Sequence, residues 1–124
     1  MFNKLNNFMN IDDIRKQIEA KYPMVDIFVF ENNYKIELST LRLPKEYQNK
    51  GIGSDILKML QDYSKIVQKP IVLSPEADRG KKGALKRFYK NNGFVDNKGR
   101  NKDYKLSLFG PTMHWKGFRE FMEF

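Results

Sequence analysis

The chain has 124 residues, no cysteine, and 23 Lys and Arg against 15 Asp and Glu, a net charge of +8. The length suits one domain spanning 1–124. The missing thiols exclude disulfides, thiolate metal sites and a cysteine nucleophile, and they fit a reducing cytoplasm. The positive balance leaves a solvated basic surface or an anionic partner open: cofactor phosphates, nucleic acid or an acidic protein surface.

Residues 1–10 are asparagine-rich and read as a loose lead-in, without the apolar core of a signal peptide. From Ile11, apolar Ile14 and Ile18 recur at helical spacing, with Asp12 and Asp13 in the first turn. Tyr22-Pro23 ends that helix. Residues 25–31 are apolar and β-prone, and Asn32-Asn33 predicts a hairpin turn because asparagine tolerates positive φ. Residues 34–43 alternate, with Tyr34, Ile36, Leu38 and Thr40 on one face and Lys35, Glu37 and Ser39 on the other. Pro44 closes the strand. Residues 54–67 form the clearest helix, with Ile56, Leu57, Leu60, Tyr63, Ile66 and Val67 in one stripe and Ser54 and Asp55 in the first turn. Ile71-Val72-Leu73 is a short buried strand, followed by a loop over 74–82. Residues 83–92 make another helix carrying Leu85, Phe88 and Tyr89, ended by Gly93 as a left-handed cap.

Strands are then expected at 94–95, 104–109 and 112–116, around a charged turn at 96–103 and Gly110-Pro111. Phe118, Phe121, Met122 and Phe124 form an amphipathic tail that would cover the acceptor side or make a homodimer contact. No apolar run approaches the roughly 20 residues that span a bilayer. The order predicts an α/β fold: a mixed, mostly antiparallel sheet with helices on both faces.

Gln48-Asn49-Lys50-Gly51-Ile52-Gly53 sits between the 34–43 strand and the 54–67 helix. A strand, a glycine turn and a helix start can hold phosphate, because the helix N-terminus offers unpaired N–H groups and the positive end of its dipole. The glycines are expected to let main chain approach the ligand. The third glycine and strand-end acid of a dinucleotide fingerprint are missing. No Gly-Lys-Ser/Thr follows, so it is not a P-loop. Lys45, Lys50, Lys81, Lys82, Lys86, Arg87 and Lys90 flank the region, which favours a local anion. Aromatics alternate with cations in Lys86-Arg87-Phe88-Tyr89-Lys90, but a helix there buries the rings, against a nucleic-acid surface.

A second motif is Tyr89-Lys90-Asn91-Asn92-Gly93-Phe94. Together with the segment Leu41 to Ser54, in this order, it resembles the signatures of the GNAT (general N-acetyltransferase) superfamily over about residues 36–94, more weakly to Trp115. The resemblance implies a GNAT-like fold with a shortened N-terminal part. It also implies acetyl-CoA as donor, lying in a V between splayed parallel strands near 36–43 and 70–74. The pyrophosphate would rest on the main chain of Gln48, Asn49, Lys50, Gly51, Ile52, Gly53 and Ser54, with Leu41 and Leu43 offering main chain to the pantetheine arm.

By the same resemblance an amine attacks the thioester directly, Tyr89 protonates the leaving sulfur, and Glu37 is the base. Glu76, Asp78 or a water chain are alternatives for the base. Lys82 stands where many such proteins have asparagine. His114 reads as surface or structural, and no residue cluster suggests a metal. The acceptor is a protein lysine or a small amine, and the short N-terminal part predicts an open acceptor groove. A CoA-binding or non-catalytic module of the same shape is the alternative.

Overall fold

The computed structural model describes residues 9–75, 82–99, 102–104, 106 and 112–117, with only the backbone of Lys82. Helix α1 (Ile11–Lys21) starts at a reciprocal cap: Asn10 Oδ1 accepts from the Asp13 N–H, and the Asp13 carboxylate accepts from the Asn10 N–H, both at 3.0 Å. Its buried stripe is Ile11, Ile14 and Ile18, as the spacing predicts.

Strand β1 (Asp26–Glu31) turns into β2 (Ile36–Arg42) through Asn32. The reason differs from the expected positive φ, which neither asparagine adopts. Instead Asn32 Oδ1 accepts from the Tyr34 and Lys35 N–H groups at 2.7 and 2.9 Å, so the side chain supplies the turn.

Helix α2 (Ile52–Val67) begins two residues before the expected Ser54, which draws Ile52 and Gly53 into its first turn. Asp55, expected to serve the helix dipole, accepts from Lys21 Nζ at 2.8 Å and Tyr22 Oη at 2.5 Å, tying α2 to α1. Those two bonds hold its carboxyl below the usual range. At the far end of α2, Glu31 accepts from Tyr63 Oη at 2.5 Å and Lys69 Nζ at 2.6 Å, fixing α2 to the end of β1.

Strands β3 (Ile71–Leu73), β4 (Val95–Asn97) and β5 (Thr112–Trp115) complete a sheet of order β1-β2-β3-β5-β4. The β2–β3 pair is parallel, and the other described pairs are antiparallel. This is the mixed, mostly antiparallel sheet read from the sequence. Of the strand expected at 104–109, Tyr104 and Leu106 lie in turns and the rest falls outside the described residues, as does the tail from Phe118.

Helix α3 (Lys82–Asn91) lies beside α2: Gln61 Nε2 donates to the Asn92 carbonyl at 2.8 Å. Ile14, Ile18, Leu57, Leu60 and Tyr89 share one core cluster with Ile27, Val29, Ile36, Leu38, Ile71, Leu73 and Met113. Strand periodicity puts those sheet residues on one face, so α1, α2 and α3 all cover that face. The other face carries Phe28, Phe30, Lys35, Glu37, Val72 and His114. There the described cover is the turn around Leu106, whose carbonyl accepts from Lys35 Nζ at 2.7 Å, and not a helix. Among the described residues no helix is long and apolar enough to cross a membrane.

The core is keyed by Phe94, 1% exposed and edge-on to Tyr89 with ring centroids 5.6 Å apart. Phe94→Ala is expected to cost about 3–5 kcal/mol, a large share of the roughly 5–15 kcal/mol that holds a domain of this kind together. Urea denaturation followed by circular dichroism measures it.

Candidate functional site

The parallel ladder between β2 and β3 ends early. It pairs Ile36 with Ile71, Glu37 with Val72 and Leu38 with Leu73. Strand β3 then stops, while β2 runs on to Arg42. At the same point the β1–β2 register slips: Phe28 faces Thr40 but Val29 faces Leu38, so Ser39 is the bulged extra residue. A bulge bends its strand and often marks a functional edge. Beyond Leu38, then, the β3-facing edge of β2 has no strand partner among the described residues.

The chain after β2 is folded back on it. Gln48 Nε2 donates to the Leu43 carbonyl at 3.0 Å, so this side chain clamps the loop to the strand end. A 3₁₀ turn at Lys45–Tyr47 and left-handed residues at Asn49 (φ 60°) and Gly51 (φ 82°) lead into α2. Gly51 is the N-cap, and no side chain caps the helix. The first-turn N–H groups of a 16-residue helix are therefore left for a ligand or water.

Besides lining the cavity, the two glycines each have a role in the fold itself. Gly51 has open space around it but needs its positive φ. Gly53 has an ordinary backbone, yet a Cβ there would lie 2.9 Å from Phe88 Cζ. It is the contact through which α3 closes on the start of α2.

Helix α3 ends in a Schellman motif. The Phe94 N–H donates to the Tyr89 carbonyl and the Gly93 N–H to the Lys90 carbonyl, both at 3.0 Å, with Gly93 at φ 89°. The spacing Tyr-x-x-x-Gly-Phe is thus the spacing of a helix stop, and the Tyr89–Phe94 ring contact is its hydrophobic clasp. The motif fixes Tyr89 so that its side chain, 5% exposed, borders the open end of the sheet. Burial pushes its phenol up to about 12, so it keeps its proton at neutral pH.

These elements enclose a cavity of about 480 Å³, lined by residues 38–43, Gln48, Asn49, Gly51, Gly53, Ser54, Ser74 and the α3 residues Ala84, Leu85, Phe88 and Tyr89. Of the residues read from the sequence, Leu41, Leu43, Gln48, Asn49, Gly51, Gly53, Ser54 and Tyr89 meet here. Lys50 is exposed and Ile52 packs on the core, and neither lines it. Glu37 also stands outside the cavity, on the open face of the sheet, 3.6 Å from Lys35 Nζ.

Lys86 and Lys90, expected to face an anion, instead grip Asp96 at 3.2 and 3.3 Å. Glu76, Asp78, Lys81 and the Lys82 side chain lie outside the described residues. His114 sits mid-sheet, paired with Val72 and Val95 and away from the cavity. Sequence reading missed Ser39, Leu85 and Phe88 as site residues. The last two were discernible, since Leu85 lies one helical turn from both Phe88 and Tyr89.

The fold has counterparts among solved structures. The anti-CRISPR protein AcrVA5 aligns with a TM-score of 0.57 and 23% identity, over 75% of this chain and 90% of that one. An acetyltransferase of the GNAT family from Staphylococcus aureus Mu50 aligns with a TM-score of 0.55 and 20% identity, over 91% and 83%. The fold is GNAT-like. No family model matches the chain, and neither does any curated protein.

Two stability tests follow from this geometry. Gly51→Ala and Gly53→Ala are each expected to cost about 1–2 kcal/mol, the first by backbone strain and the second by crowding. Adding Phe88→Leu should restore the second and not the first, by double-mutant urea melts. Tyr89 binds its proton more tightly folded than unfolded. Its stabilisation is therefore full below pH 10 and lost as pH climbs from 10 towards 12. Tyr89→Phe should flatten that alkaline loss when melts at about pH 9 and about pH 11 are compared.

Proposed function

We propose that the chain is an acetyl-CoA-dependent N-acetyltransferase acting by direct attack of an amine on the thioester. One observation carries the reading: the β2–β3 opening, the uncapped start of α2 and the Tyr89 side chain border a single cavity. The residues fit the donor. A pyrophosphate suits the free N–H groups at the start of α2. A pantetheine arm, with its two amides, suits the main chain of Leu41, on the edge of β2 that has no described strand partner, and the N–H of Leu43 just beyond the strand, whose carbonyl Gln48 already holds.

In this reading the amine lone pair attacks the thioester carbonyl carbon. A C–N bond forms and the C–S bond breaks. The departing sulfur takes the Tyr89 proton, which solvent later replaces, and the amine gives up its own proton to a base. A main-chain N–H near Leu43 polarises the carbonyl oxygen. Glu37 is the base we assign. It precedes Leu38, the first cavity residue of β2, and lies on the opposite face, so the acceptor reaches the thioester from that side, directly or through water. A protein lysine is the acceptor we favour, because the described face around Glu37 is open. The likeness to an anti-CRISPR protein is in keeping with a macromolecular target.

Thiol release on mixing the protein, acetyl-CoA and a panel of lysine peptides and small amines tests the reading. Tyr89→Phe should lower kcat about 100-fold with CoA affinity held within about threefold. Equal loss of both would remove the acid role. No binding of acetyl-CoA in a thermal-shift assay would leave a GNAT-shaped module without this chemistry.

A further inference from the structure

The sheet face away from the helices carries a patch that the cavity does not use. Phe28 and Phe30 stand on it, 53% and 47% exposed, with ring centroids 4.6 Å apart. They belong to one strand at a spacing of two, so they point the same way. Across the ladder Phe30 pairs with Glu37 and Phe28 with Thr40. Two half-exposed aromatic rings and a carboxylate therefore share one surface. The Glu37 carboxylate is 51% exposed and already holds one ammonium, Lys35 Nζ at 3.6 Å, itself anchored on the Leu106 carbonyl. The next residue, Leu38, lines the cavity. Strand β1 is the sheet's edge and pairs only with β2 among the described residues.

We infer that this patch is the acceptor platform: a lysine ammonium on an extended peptide laid along β1 is read by the faces of Phe28 and Phe30 and by the Glu37 carboxylate. Electron-rich ring faces beside a carboxylate complement an ammonium and repel an anion. The Lys35–Glu37 contact shows the same pairing within the chain. A flat, half-open face encloses too little of a small amine to hold it, whereas a peptide gains main-chain hydrogen bonds at the β1 edge. The net charge of +8 opposes polyamines and aminoglycosides, which carry several positive charges, far more than a single lysine in a neutral peptide.

The chemistry of this inference rests on the acetyltransferase reading, but the binding does not. A neutral ten-residue peptide with one central lysine, titrated into the CoA-containing protein, should shift the amide signals of residues 27–31 and 36–40. Its acetyl-lysine form should not. With acetyl-CoA saturating, Phe28→Ala and Phe30→Ala should each raise the peptide KM about fivefold to tenfold. The KM for acetyl-CoA should move less than twofold, and Phe30→Tyr, which keeps a ring face, should preserve the peptide KM. An unmoved peptide KM in both alanine variants overturns the platform. So do amide shifts that follow protein concentration instead of peptide, which would mark a contact between copies. Peptide binding at the patch without acetyl-CoA binding overturns the acetyltransferase reading alone. Acetyl-CoA binding without peptide binding overturns the platform alone.

Discussion

Everything at the site depends on where β2 and β3 part. A parallel pair normally continues as far as both strands last, because unpaired main-chain groups are costly once water is kept away. Here β3 ends at Leu73 while β2 continues to Arg42 with a bulge at Ser39. Among the described residues the remaining edge of β2 has no strand partner, which leaves room there for a ligand or water. The sheet thus stores recognition in its backbone, and the side chains around it serve mainly to hold the gap open.

That division of labour explains the two motifs. Gly51 supplies a left-handed turn, Gly53 lets Phe88 sit against the start of α2, and Gln48 pins the loop to Leu43. Gly93 and Phe94 close a Schellman stop that fixes Tyr89. Most of the motif residues therefore act on shape. Tyr89 is the exception, because its side chain lines the cavity and its phenol holds its proton well above neutral pH. In the proposed reading the two faces of β2 then separate two tasks, with the donor on the helix side and the acceptor at the charged and aromatic patch on the other.

Much of this was legible in the chain, for physical reasons. The stripe of Ile56, Leu57, Leu60 and Tyr63 and the alternation around Ile36 and Leu38 are periodic, and periodicity survives folding, although Ile66, expected in the same stripe, is 51% exposed. The alternation also placed Glu37 opposite the core. Local features whose cause lies in the third dimension were not legible. Ser39 continues the alternation in sequence, so its bulge leaves no trace. The turn at Asn32 looked like a matter of φ and is a matter of side-chain hydrogen bonds. Lys86 and Lys90 looked available until β4 brought Asp96 between them. The apolar run at 25–31 did not say that one of its faces stays half open at Phe28 and Phe30.

The central claim is that the main chain at the β2–β3 opening and the start of α2 grips an acyl-CoA. Amide chemical shifts recorded while CoA is titrated into the protein test it most directly. The account predicts large shifts at residues 39–43 and 51–54, with smaller ones at Tyr89 and none at His114. Saturable shifts that avoid residues 39–43, or no shifts at millimolar CoA, would contradict it.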